Sequence, residues 1–318
     1  MLALGCAGCG DAPKHPVQER ADSSPLGNLR LWVDPASPAA TQVAVWQARG
    51  NTAAAAAIQR IAREPTAEWL TGDQPPRQAA AARVSSAARS GAVAQLVLYD
   101  IPNRDCQNYS SGGANDASSY LNWVRQVAQG IGQNQAIVIV EPDAVDQADS
   151  GCLPRNQASL RYALLSQAVA ILKRLPHVHV YLDAGNSAWL PARRIAGPLR
   201  RSGIAHADGF ALNVANFQTT AASIAYGQSL ARRLGKQHFV IDTSRNGSGP
   251  PGSGPNHWCN PPGRALGTPP TTHTGNPLVD ALLWIKYPGA SDGECRRGDP
   301  PAGVWWPAYA LSLASARR

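Results

Sequence analysis

One stretch constrains the fold of this chain more than any other: Ile137 to Asp146 reads I-V-I-V-E-P-D-A-V-D. Four β-branched apolar residues in succession mark a strand buried on both faces, as in a parallel sheet; a half-solvated strand alternates apolar and polar residues instead. Pro142 has no N–H to give to a sheet ladder, so the strand stops near Glu141 and leaves Asp143 just past its carboxyl end. Sheets and barrels of the α/β class carry their chemistry at that end.

The same design recurs at 95–105 (Q-L-V-L-Y-D-I-P-N-R-D), 177–183 (H-V-H-V-Y-L-D) and 281–292 (A-L-L-W-I-K-Y-P-G-A-S-D). Each apolar run delivers an aspartate at or beyond its end: Asp105, Asp143, Asp183 and Asp292. A single strand-end Asp is an ordinary turn residue. Four at equivalent positions of one parallel sheet converge on one mouth. Between these runs, helical patterning is expected over 39–63, 76–90, 118–131, 157–175, 188–201, 223–234 and 304–318. Further strands are expected at 29–33, 209–214 and 238–241. Trp69 falls in a predicted loop, and long loops at 103–118 and 244–276 are rich in Gly, Ser, Asn and Pro. Strand and helix alternate throughout, which implies a parallel α/β sheet, open or closed into a barrel, in a single domain over 29–318.

Residues 1–28 read as a leader and linker. Within them L-A-L-G-C resembles a bacterial lipoprotein cleavage site with Cys6 lipidated, and the clipped tail of a secretory signal is the alternative. The net charge is +8, but the arginines are scattered rather than massed, which argues against a nucleic-acid partner. Cys106, Cys152, Cys259 and Cys295 each lie in a loop near an acidic strand end without C-x-x-C spacing, so zinc is not indicated. Four cysteines permit three pairings. Joining Cys106 to Cys152 and Cys259 to Cys295 would staple neighbouring loops of one rim and fits an oxidising compartment.

No G-x-S-x-G elbow is present, and His177 and His179 sit in a predicted strand, so a serine triad is not signalled. Carboxylates flanked by aromatics point to sugar: Trp and Tyr faces stack on pyranose rings while acids and amides hold hydroxyls. Trp69, Tyr99, Trp189 and Trp258 lie near strand ends and rim loops, whereas Trp284, between Leu283 and Ile285, reads as core.

The blocks L-Y-D-I-P-N-R-D-C, I-V-E-P-D-A, Y-L-D-A-G-N-S-A-W-L, L-N-V-A-N-F, W-C-N-P-P-G-R-A-L-G and W-I-K-Y-P-G-A-S-D-G resemble, in order, the signature blocks of glycoside hydrolase family 6, and its secreted actinobacterial endoglucanases in particular. The resemblance implies a distorted parallel β/α barrel and inverting hydrolysis of β-1,4-glucan; no cofactor or metal is expected, because the aspartates have no His or Cys cluster beside them and no phosphate-cradling glycine loop accompanies them as at a magnesium site. By motif position Asp143 resembles the general acid. Asp105 resembles the carboxylate that raises the acid's pKa and accepts the water proton through a water chain. Asp183 and Asp292 match the two other cleft aspartates, Asp292 as a base or charge stabiliser. An inverting enzyme holds acid and base roughly 6.5 to 9.5 Å apart. Tyr99 resembles the tyrosine beneath the distorted sugar and Ser111 the serine that holds the attacking water. Trp69, Trp189 and Trp258 match sugar platforms, and Asn213 and Lys286 match hydroxyl-binding positions. The disulfide pairs Cys106 with Cys152 and Cys259 with Cys295 are the family's as well.

The chain departs from the family pattern at Asn186, where His is usual, and at Ala290, where Glu is usual; both changes bear on sugar contacts near the cleavage point. They support one rival reading, a glucan-binding envelope protein without turnover. A hydrolase of envelope glycan is another. The short stretch between Asp292 and the last helix implies an open cleft and internal cleavage. The expected protein is thus a monomeric extracytoplasmic glucanase, either secreted or held to the envelope by a lipid anchor at Cys6.

Overall fold

The computed structural model describes Met1 and residues 24–254, 256–296 and 298–316. Cys6 and most of the expected leader lie outside these residues. The strands are β1 (Glu68–Leu70), β2 (Ala94–Leu98), β3 (Ala136–Val140), β4 (Val178–Asp183), β5 (Gly209–Leu212), β6 (His238–Asp242) and β7 (Val279–Leu283). The helices are α1 (Pro38–Ala48), α2 (Thr52–Ala62), α3 (Pro76–Arg89), α4 (Ala117–Ile131), α5 (Ala144–Ser150), α6 (Arg155–Leu172), α7 (Ala192–Arg201), α8 (Thr220–Arg233) and α9 (Pro307–Ser315).

The seven strands form one parallel sheet in chain order, β1 to β7. In β3, Ile137 and Ile139 face one side, where they pack with Val97, Tyr181, Val240 and Leu283 of the other strands. Val138 and Val140 face the other side, beneath residues of α3, α4 and α6 such as Val84, Val127 and Leu165. That two-sided burial is why the run is continuously apolar. Inner-face side chains from β2 through β7 share one cluster, so the sheet curls into a distorted, incompletely closed β/α barrel. The edges β1 and β7 share no ladder; Ala67 N–H donates to Trp284 O at 3.1 Å and the Trp69 indole to Ile285 O at 2.9 Å.

Both disulfides pair as expected, Cys106 with Cys152 and Cys259 with Cys295, at Cα separations of 6.1 and 6.3 Å. The first joins the loop after β2 to the residues just past α5; the second joins two rim loops after β6 and β7. Trp284 is core, with its indole N–H on Thr268 O.

Several boundaries differ from the sequence reading. The strand expected at 29–33 is a single bridge, Leu31 to Val93, while Leu26, ahead of the expected domain start, is fully buried in the inner cluster. Trp69 lies in β1 and not in a loop. The helix expected over 39–63 is two helices, because Gly50 turns the chain at φ 72° and Asn51 then caps α2 by accepting from Ala54 N–H. Helix α5 was not foreseen; it starts directly at the left-handed Asp143, and its brevity hides its period.

Leu96 is fully buried beneath the outer helices, whereas Leu160 on α6 is 49% exposed. Leu96→Ala is therefore expected to lower the unfolding free energy by about 2–5 kcal/mol, and Leu160→Ala to change it by less than about 0.5 kcal/mol. Urea unfolding of both variants measures the difference.

Candidate active site

The strand exits are held together by acids. The Glu141 carboxylate, at the end of β3, accepts from Asp100 N–H and Ile101 N–H at 3.1 Å, beyond the end of β2. Asp183 Oδ2, the last residue of β4, accepts from Asp143 N–H at 2.9 Å and Gly185 N–H at 3.2 Å. Asp242, the last residue of β6, accepts from Ala215, Ser244, Ile285 and Lys286 N–H groups. Each turn leaves buried backbone donors that a neighbouring carboxylate satisfies. Burial pushes Glu141 and Asp183 up to about 7 against the pull of those donors.

Asp143 caps α5 in the left-handed region, φ 69°. Asp105 and Glu141 share that rare backbone state, at φ 58° and 48°. Non-glycine residues in this region concentrate where structure is over-determined for function. Burial, then the charges of Asp183 and Asp105, raise the Asp143 carboxyl well above the ordinary range. Asp105 is positioned by Ser110, whose N–H and hydroxyl donate to Oδ2 at 2.9 and 2.7 Å, and by Gln147 Nε2, which donates to Oδ1 at 3.1 Å. The Tyr99 hydroxyl lies 3.0 Å from Ser110 Oγ, and its ring meets Trp69 edge to face with centroids 5.1 Å apart. Arg161, buried on α6, donates to Pro102 O and Asn103 O at 2.9 and 2.7 Å and so ties the Asp105 turn to α6.

Asp292 has the opposite surroundings. Burial alone would push its carboxyl up, but Arg245 at 2.8 Å and Lys286 at 3.2 Å outweigh burial and hold it below the usual carboxylate value. Asn260 N–H adds a bond at 3.0 Å, and Asn260 Oδ1 accepts from Asp292 N–H in return. The surroundings therefore favour the neutral form of Asp143 and the ionised form of Asp292.

A groove of about 1250 Å³ runs across the strand exits. Trp69, Tyr99, Asp105, Ser111, Asp143, Trp189, Trp258, Lys286 and Asp292 all line it, as do Asn186 and Ala290. The Lys286 ammonium lies 5.7 Å from the Trp69 ring centroid. Two walls of the groove meet where Asn256 Nδ2 donates to the Tyr109 hydroxyl at 3.1 Å, beside Trp258.

Two expectations fail in part. Asn213 is fully buried and off the groove lining; its amide donates to Gln218 O and Asp242 O and accepts from Gln218 N–H, so it shapes a turn and has no group left for a sugar hydroxyl. Asp183 sits behind Asp143, buried, and reaches the groove only through it. Sequence reasoning missed Ser110, Gln147, Arg161, Arg245 and Asn260. Gln147 was detectable from its spacing, one helical turn after Asp143 on the same face.

Comparison with known proteins agrees with this picture. The family model for Glycosyl hydrolases family 6 matches residues 26–317. Endoglucanase A of Cellulomonas fimi is 44% identical over 278 residues, covering 86% of this chain and 59% of that protein. Endoglucanase 1 of Streptomyces halstedii is 38% identical over 324 residues, covering 98% and 95%. The chain thus spans about three-fifths of the Cellulomonas relative and nearly all of the Streptomyces one. The solved endoglucanase Cel6 of Mycobacterium tuberculosis, in complex with methyl-cellobiosyl-4-deoxy-4-thio-β-D-cellobioside, superposes with a TM-score of 0.86 at 44% identity, covering 92% of this chain and 98% of that one. On its sequence, its barrel and the residues at its strand exits, the chain belongs to glycosyl hydrolase family 6.

Proposed function

We propose that the chain is an inverting endo-β-1,4-glucanase acting on cellulose-type chains outside the cytoplasm. The observation that carries the reading is Asp143, a carboxyl whose surroundings favour its neutral form, facing an aromatic-lined groove that also holds Asp105 and the ion-paired Asp292. Asp143 donates its proton to the departing glycosidic oxygen. Asp105, oriented by Ser110 and Gln147, takes the proton of the attacking water through a water chain. Asp292, held anionic by Arg245 and Lys286, is a poor base and stabilises the oxocarbenium-like charge instead. Asp183 acts by keeping the proton on Asp143. Trp69, Trp189 and Trp258 stack on glucosyl rings, Tyr99 lies beneath the ring at the cleaved bond, Ser111 holds the water and Lys286 a hydroxyl.

The thio-linked cello-oligosaccharide bound to the Mycobacterium tuberculosis endoglucanase supports this substrate class. The two disulfides support an oxidising compartment, and the reading includes a monomer with a lipid anchor at Cys6. The retained acids, and relatives named endoglucanases, weigh against a glucan-binding protein without turnover.

Cellohexaose is expected to yield shorter oligosaccharides whose new reducing ends are initially α-anomers by NMR, since inversion turns a β linkage into an α product. Asp143→Asn is expected to lower kcat by about 10²–10⁴-fold with KM little changed. Binding of cellohexaose without any product, or β-anomers as first product, would sink the reading. Because Asp143 works in its protonated form and its carboxyl is raised, kcat/KM is expected to hold toward neutral pH and fall as pH rises through that raised value. Asp183→Asn removes a neighbouring negative charge, so the alkaline limb is expected to move to lower pH; a limb that stays put contradicts the assigned electrostatics.

A further inference from the structure

One acid of the central stretch has no part in this chemistry. Asp146, one turn after Asp143 on α5, is fully buried, and neither carboxyl oxygen has a hydrogen-bond partner among the described residues. It packs against Gly185, where an added Cβ would lie 2.5 Å from Asp146 Oδ1. The N–H of the same glycine donates to Asp183 Oδ2 at 3.2 Å. Asp183 Oδ1 is buried and has no partner either. Two carboxyls thus share one glycine, one of them presenting an acceptor that lacks a donor. A buried ionised carboxylate with no donor costs far more than a neutral acid, and a neutral acid has an O–H to give.

We propose that Asp146 is a positioning residue whose neutral carboxyl supplies the missing O–H to Asp183 Oδ1, so that the negative charge of the cluster stays on Asp183 and from there keeps the proton on Asp143. This rests on the reading of Asp143 as the acid. The titratable groups facing Asp146 are Asp183 from β4, Asp143 and Asp149 on its own helix, Tyr162 from α6 and Tyr226 from α8. Asp149 is paired with Arg194 of α7. Burial, then Asp183, Asp143 and Asp149 in turn, raise Asp146 well above the ordinary value, whereas Asp183, held by two backbone donors, rises only to about 7. The two backbone N–H groups on Asp183 Oδ2 favour the charge residing there. Replacing Gly185 by any residue with a Cβ would displace this carboxyl, so the glycine fixes the approach of the two acids.

The test is the pH profile of kcat/KM on soluble mixed-linkage glucan for the wild type, Asp146→Asn and Asp146→Ala. The amide of Asp146→Asn still offers an N–H to Asp183, so its alkaline limb is expected to match the wild type. Asp146→Ala removes the donor, weakens the Asp183 anion and is expected to bring the limb down by about one pH unit with KM unchanged. A wild-type profile in Asp146→Ala, or the same shift in Asp146→Asn, overturns the proposal. Infrared difference spectra at pH 7 provide a measurement that needs neither turnover nor a folded Asp146→Ala. Asp143→Asn is expected to show protonated-carboxyl C=O absorption that falls by one carboxyl in Asp143→Asn/Asp146→Asn, Glu141 and Asp183 supplying the remainder, and the same absorption in both variants overturns the proposal. An inactive wild type, with this fall still present between the two variants, would remove the hydrolase reading and leave the Asp146 contact standing.

Discussion

The structure depends on carboxylates that accept from backbone N–H groups where the strands leave the sheet. A parallel barrel must turn each chain sharply at these exits, and the turns leave donors that neither a helix nor a ladder satisfies. Glu141, Asp183 and Asp242 each take up donors from an adjoining segment, so the exits are linked in two groups, β2 to β4 and β5 to β7. Acids are therefore concentrated at the mouth for a structural reason first. Their mutual repulsion and desolvation then supply the electrostatic conditions under which one carboxyl stays neutral.

The same residue type is set to two tasks by its neighbours. Around Asp143 burial and the charges of Asp183 and Asp105 outweigh the opposing Lys286. Around Asp292 two cations outweigh a comparable burial. Arg245 is central to that division: it is fully buried, ion-paired to Asp292, and stacked 4.5 Å over the Phe217 ring. Lys286 is coupled to both sides, because its ammonium pairs with Asp292 while its backbone N–H is held by Asp242.

The sheet was legible because two-sided burial writes itself into composition: I-V-I-V permits no half-exposed strand. The aspartates and the aromatic lining were legible as strand-exit residues and as family blocks, and the cysteine pairs as neighbours on one rim. The exceptions have physical causes. Asn213 occupies a family block yet spends its whole amide on local backbone, which only coordinates reveal. Ser110 and Ser111 are adjacent and chemically identical, and the direction of a left-handed loop decides which one meets Asp105. Arg161 and Arg245 act from distant elements across the fold, where sequence spacing carries no signal. Helix α5 is too brief to show a period.

The left-handed backbone at Asp143 has a consequence for anyone selecting variants for heat resistance. Backbone preference alone ranks glycine above aspartate there, and the Asp143 side chain makes no capping bond that its loss would break. A thermostability screen without an activity gate will thus favour the very replacement that strips the mouth of its acid, leaving a sturdier barrel with nothing to offer a polysaccharide.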